Sequence, residues 1–163
     1  MPSTPLEQLR ASELETLDLE RFLPYRLSVL SNTVSQAIAS AYEQQFDLSI
    51  PEWRVMAVVA RYPGISAVDV VVRTAMDKVA VSRAVNRLID AGRLLRRPDA
   101  SDRRRTQLQL SAAGRAVYRK VVPVARAYER ELEKALAASE LAALELLLVK
   151  LLSRARDLGS SVT

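Results

Sequence analysis

From Asp18 to Phe46 the apolar positions Leu23, Leu27, Leu30, Val34 and Ile38 recur every three or four residues, which predicts one face of a long helix, with Pro24 bending it or lying near its start. Ser49-Ile50-Pro51-Glu52 has the form of a capping box with proline in the first turn and opens a second helix through about Arg61, which Tyr62-Pro63-Gly64 stops. Ser66-Ala67-Val68-Asp69 is a further cap signature. Val68, Val70, Val71 and Val72 follow the pattern of a strand as well as of a helix, because β-branched side chains lose rotamer freedom in helices; the cap favours a short helix. Asp77 caps the next element, which runs to Ala91 with Val81, Ala84, Val85, Leu88 and Ile89 on its apolar face, and Gly92 supplies the left-handed residue that ends it.

Beyond Gly92 the period shifts from 3.6 toward 2. Leu94 to Arg97 and Thr106 to Leu110 form two predicted strands around a tip, Pro98 to Arg105, rich in Asp, Ser and Arg. Ser111 then caps a long helix to about Ala137, bent near Pro123, and Ser139 caps a last helix that reaches Asp157 before Gly159. The fold class this order predicts is mainly α with a small β-wing: a winged helix-turn-helix over 47–110, flanked by helical dimerisation regions over 19–46 and 111–158, after an extension of residues 1–18.

Composition narrows the chemistry. The 163 residues contain no Cys and no His, which removes disulfides, Cys/His zinc sites, Ser-His-Asp or Cys-His catalysis and histidine acid/base work together. Only four glycines are present and none form a phosphate-binding loop, so the chain is expected not to be an enzyme, and neither a metal nor a cofactor is expected. The acidic start lacks the apolar segment of a signal peptide, and the longest uncharged stretch, Leu27 to Tyr42, is broken by polar residues. A cytoplasmic protein with no membrane partner is the expectation.

Charge carries the functional signal. Arg73 to Arg105 holds ten Arg or Lys against four Asp, a local excess of +6 in a chain whose net charge is +5. A positive field confined to a fifth of the chain is the footprint of a polyanion partner, although a solvated basic face would look the same by charge alone. In the helix after Asp77, packing of the apolar face leaves Lys78, Ser82, Arg83, Asn86 and Arg87 pointing outward. Arg reads guanine edges and Asn adenine edges with paired hydrogen bonds, whereas Lys and Ser hold phosphates. Arg103, Arg104 and Arg105 repel one another unless an anion is near, and a narrow minor groove attracts an inserted arginine. Asp102 is placed to bridge to Arg104 and stiffen the tip. Double-stranded DNA is the expected partner. A basic helical module docking an acidic protein is the other reading open from these residues.

The segment Ile50 to Trp53, the run from Met76 to Leu88, and Asp102-Arg103-Arg104 followed by Leu110-Ser111-Ala112-Ala113-Gly114 resemble the MarR family of bacterial transcription regulators. The last segment matches that family's D-x-R … L-[ST]-x-x-G wing signature. The resemblance implies a winged helix-turn-helix homodimer, held by its terminal helices, that binds a pseudo-palindromic operator, and a repressor is the expectation. It places Ser82, Arg83, Asn86 and Arg87 on recognition-helix positions facing DNA and Arg104 in the minor groove. One departure is that Val79 and Ala80 stand where many members carry Ser or Thr.

The terminal helices carry more apolar surface than a domain of their size needs to cover, with Leu141, Leu144, Leu148 and Leu151 as dimerisation candidates. The resemblance further implies release from DNA by a small aromatic acid or thioester, such as a hydroxycinnamate, bound between the dimer helices and the winged domain. Absence of Cys excludes peroxide sensing, and a constitutive or architectural DNA-binding protein without effector remains the alternative. Arg26, Leu30, Ser31 and Trp53 are the candidate pocket residues. Each also has a plainer role, as a solvated charge, an apolar helix face, a hydroxyl bonded to its own helix and a core aromatic.

Overall fold

The computed structural model describes residues 16–98 and 106–160. The chain divides into a unit up to Ala37 and a unit from Ile38 onward. Helix α1 spans Leu23–Phe46. It starts later than the apolar period suggested, because Asp18 to Phe22 forms a turn in which Asp18 Oδ1 accepts from the Arg21 N–H at 3.2 Å, leaving Pro24 in the first helical turn.

In the unit from Ile38, α2 (Ile50–Arg61) begins at the expected capping box: the Ser49 N–H donates to Glu52 Oε2 at 2.7 Å and Ser49 Oγ accepts from the Glu52 N–H. Strand β1 (Ile65–Ser66) leads into α3 (Ala67–Thr74), which Ser66 caps by accepting from the Asp69 N–H at 3.2 Å. The valine run is helical, since only Val70 is fully buried and the helix has one apolar face to cover. Ala75 takes the left-handed conformation that turns the chain into α4 (Lys78–Asp90), where Asp77 Oδ1 accepts from the Ala80 N–H at 2.8 Å. Val81, Ala84, Val85 and Leu88 are buried, and Gly92, at φ +66°, ends the element.

Strands β2 (Leu94–Pro98) and β3 (Thr106–Leu110) pair antiparallel, with Leu94 opposite Leu110 and Pro98 opposite Thr106. The sheet has a third member that two-residue patterning could not announce: β1 pairs with the other edge of β3, Ile65 opposite Leu108. The core gathers Tyr42, Leu48, Val55, Met56, Val59, Val70, Leu88, Leu94, Leu108 and Val121 from all these elements. Trp53 is half-buried at its edge, stacked on Tyr118 with ring centroids 5.6 Å apart and tilted against Tyr42 at 5.8 Å.

Helix α5 (Ala112–Glu133) contains Pro123 and stops four residues before the expected Ala137. Helix α6 (Ala138–Ser160) begins one residue before Ser139, so Ser139 is not its cap; instead Glu140 Oε2 accepts from the Ala137 N–H at 2.7 Å. The helix continues through Gly159, whose missing side chain costs some helical stability without ending the element.

The start of α5 is welded to the end of α4. Ser111 Oγ donates to the Gly92 carbonyl at 2.6 Å and accepts from the Gly114 N–H at 2.9 Å, while the Ser111 N–H donates to the Arg93 carbonyl at 3.0 Å. A Cβ on Gly114 would lie 2.0 Å from that same Arg93 oxygen, so this position of the motif accepts only glycine. The Arg93 guanidinium donates to the carbonyls of Phe46 and Asp47, satisfying the C-terminal end of α1.

Three substitutions test the stability of this arrangement. Gly114→Ala forces backbone apart and is expected to cost roughly 1–3 kcal/mol or more in denaturant unfolding, whereas Gly159→Ala, with open space around it, should be neutral or better. Burial pushes the Tyr42 phenol from 10.0 up to about 12, with Glu43 adding to and Arg54 opposing the shift, and among the described residues its hydroxyl has no hydrogen-bond partner. Between those two pH values the unfolded chain has lost a proton that the folded chain keeps, so stability falls as pH rises through that window. Tyr42→Phe is therefore expected to flatten the decline of the unfolding midpoint in strong alkali and to be at least as stable as the parent at neutral pH. A marked loss at neutral pH would show that the hydroxyl is satisfied.

Candidate nucleic-acid interface

At about 100° per residue, the exposed positions of α4 sweep an arc of roughly half the helix, in the order Lys78, Ser82, Asn86, Val79, Asp90, Arg83 and Arg87, with Asp90 at the far end of the helix, while Val81, Ala84, Val85 and Leu88 occupy the buried arc. Sequence-predicted residues Lys78, Ser82, Arg83, Asn86 and Arg87 are thus all at the surface of one rigid element. Lys78, Arg83 and Arg87 have no carboxylate partner among the described residues, which leaves their cations free for an external anion.

Each margin of the arc borders a neighbouring element. Lys78 and Ser82 line a cleft of about 320 Å³ with Val68 and Val72 of α3 and Arg96 of β2. Arg83 and Arg87 line another, about 300 Å³, with Ser49 and Pro51 at the start of α2. At the centre, Asn86 Oδ1 accepts a hydrogen bond from Arg96 Nη2 at 3.2 Å. In the sequence Arg96 stands out only as one of the ten basic residues between Arg73 and Arg105. The signal that places it was available: Leu94 is buried, and in a strand residues two apart share a face, so Arg96 points to the α4 side while Arg97 lies on the face of exposed Leu95.

Arg103, Arg104, Arg105 and Asp102, with the expected Asp102–Arg104 bridge, lie outside the described residues. What the structure does show is the base of that tip: Pro98 and Thr106 paired across the two strands.

The candidate effector residues fall in different places. Arg26 and Leu30 line a cleft of about 520 Å³ along the early part of α1, with Glu20, Leu23, Leu27 and Thr33; Ser31 is exposed and outside that lining. Trp53 sits in the Tyr42–Trp53–Tyr118 ring stack. Periodicity did not reveal a further cleft of about 390 Å³ between α2, β3 and α5, where Val59, Ala60, Pro63 and Tyr118 meet Arg115 and Arg119. Arg115 Nη1 donates to the Leu110 carbonyl at 2.7 Å, holding one cation at its rim.

On α6, Leu141 is half-buried, while Leu144, Leu148 and Leu151 leave 40%, 47% and 41% of their surface exposed. No described group of carboxylates could hold a metal ion, and no described helix is long and apolar enough to cross a membrane.

A three-helix core with a hydrogen-bonded antiparallel wing, the third helix turning a cationic, amide-bearing face outward, defines a winged helix-turn-helix of the transcription-regulator class. Comparison with known proteins narrows the class. A model of the MarR family matches residues 46–105. The transcriptional regulator HosA of Escherichia coli O127:H6 (strain E2348/69 / EPEC) is 30% identical over 94 residues, which cover 58% of this chain and 70% of HosA. Among solved structures, a MarR/EmrR family transcriptional regulator from Acinetobacter sp. ADP1 superposes with a TM-score of 0.80 at 24% identity, over 86% of this chain and 99% of that one. A mutant MarR from E. coli complexed with operator DNA superposes with a TM-score of 0.71 at 25% identity, over 84% and 99%. The chain belongs to the MarR family of transcription regulators.

Proposed function

We propose that this protein is a cytoplasmic repressor that binds a pseudo-palindromic operator as a homodimer and is released by a small aromatic acid or thioester. The observation that carries the DNA reading is the α4 arc: Lys78, Ser82, Arg83, Asn86 and Arg87 on one face, their cations without carboxylate partners among the described residues, backed by a fully buried opposite face. A helix of 13 residues fits the major groove, with Arg83 and Arg87 placed for guanine edges or phosphates and Ser82 and Lys78 for the backbone. Arg103, Arg104 and Arg105 extend the footprint from the strand ends, with Arg104 the minor-groove residue and Asp102 its stiffening partner.

The dimer is supported by the exposed leucines of α6, a face too apolar to remain in water on a 23-residue helix without extensive contacts elsewhere in the chain. A two-fold protein matches a two-fold operator. Effector release is supported by the cleft between α2, β3 and α5: an aromatic ring would rest against Tyr118 and Val59, and its carboxylate would meet Arg115 and Arg119. An occupant there touches the helix-turn-helix and the strand at the base of the wing at once, so its binding would favour one spacing of the two. The cleft holding Arg26 and Leu30, and the aromatic wall that includes Trp53, are further places for such a molecule.

Gel-shift or anisotropy titration on operator fragments selected from genomic DNA is expected to show two chains per duplex, with affinity falling linearly in log salt. Arg83→Ala and Arg104→Ala should each weaken specific binding by about 1–3 kcal/mol. Parent-like affinity of both variants would remove the DNA reading. In thermal unfolding, an aromatic acid at a hundredfold excess over its dissociation constant should stabilise the protein by about 2.7 kcal/mol, and Arg115→Ala should diminish that gain. A panel of acids and thioesters with no effect would favour constitutive binding instead.

A further inference from the structure

The centre of the α4 arc is occupied by a polar pair. Arg96 Nη2 donates to Asn86 Oδ1 at 3.2 Å, both side chains being exposed. A guanidinium has five N–H donors and no acceptor, so only the carbonyl end of the Asn86 amide can face it, and the amide nitrogen is turned the other way. The sheet decides which side chain does this: Arg96 shares a face with buried Leu94, its backbone is registered against Leu108, and its side chain borders Lys78 and Ser82 of α4.

An unconstrained asparagine in the major groove pairs with adenine, its oxygen accepting from the N6 amino group and its nitrogen donating to N7. That pairing needs Oδ1. Here Oδ1 already accepts from a cation, and an adenine amino group approaching it would bring its positive hydrogens against the guanidinium. Guanine presents N7 and O6, both acceptors, to the same groove. The Asn86 amide nitrogen and the remaining N–H groups of Arg96 are all donors, and together they match guanine and oppose adenine.

We infer that Arg96 is a specificity-determining residue of the operator-reading surface: by holding Asn86 Oδ1 it converts a residue that would read adenine into half of a donor-only pair that selects guanine. This rests on the DNA reading above and goes beyond it, since neither the motif nor the charge count assigns Arg96 a base. The neighbouring Arg97, one residue on, faces the other side of the sheet and supplies the control.

The test is selection of bound duplexes from a randomised pool by the full chain, as parent, Arg96→Ala, Arg97→Ala, Asn86→Ala and the Arg96→Ala/Asn86→Ala double variant. The expected parent motif has a guanine in each half-site whose preference over adenine drops by about tenfold in Arg96→Ala, with adenine gaining, while other positions keep their preferences. Arg97→Ala should leave the motif unchanged. In the Asn86→Ala background, Arg96→Ala should move the guanine-to-adenine ratio less far than it does in the parent, because no freed amide remains to read adenine. A parent motif that Arg96→Ala leaves intact, or weakens equally at every position, overturns the inference while leaving the DNA reading in place. A parent that selects no motif at all overturns both.

Discussion

Close passage of the Arg93 carbonyl over Gly114 is the constraint on which the winged unit depends. The distance leaves no room for a side chain, and the approach is made attractive by Ser111, whose hydroxyl bonds the Gly92 carbonyl and the Gly114 N–H while its own N–H reaches the Arg93 oxygen. Four segments meet here: the end of α4, the start of β2, the end of β3 and the start of α5. Buried backbone polar groups must find partners, and in this knot Ser111 ties the Gly92–Arg93 turn to the first turn of α5, so neither can shift alone. The Arg93 side chain draws the end of α1 into the same arrangement through the Phe46 and Asp47 carbonyls.

That rigidity has a consequence for reading a duplex. The outward arc of α4 and the strands that carry the basic tip descend from the same knot, so their relative position is set before any DNA is met, and binding need not order them at the cost of conformational entropy. The Asn86–Arg96 hydrogen bond adds a second tie on the outer side of the same joint. Inside, the tie is apolar and nondirectional, through Val81, Val85, Leu88 and Leu94; outside, it is polar and directional, and it faces solvent. A core contact of that kind stabilises any compact arrangement, whereas the surface bond also fixes which atoms of an amide are presented.

Much of the architecture is legible in the residue pattern because it rests on local rules. The caps at Ser49, Ser66, Asp77 and Ser111 act within three residues of their own helices, and the inward face of α4 follows from helical periodicity alone. Where local signals are weak, the pattern along the chain does not fix the element. Ser139 competes as a cap with an unremarkable Ala137 whose N–H is instead met by Glu140, and the two-residue β1 is too short to show any alternation. The cleft at Tyr118, Arg115 and Arg119 joins residues from three elements, and no spacing along the chain connects them.

By itself, then, the sequence determined the succession of helices, the two wing strands, the cationic arc of α4 and the family signature from Leu110 to Gly114, since each depends on neighbours a few residues away or on side-chain chemistry that does not change with context. Only the tertiary structure decided that β1 closes the sheet, that Gly114 is needed because a carbonyl 21 residues earlier in the chain passes over it, and that Asn86 meets Arg96. Those are contacts between segments brought together by burying the core, and their partners are chosen by distance in space, which the order of residues does not state.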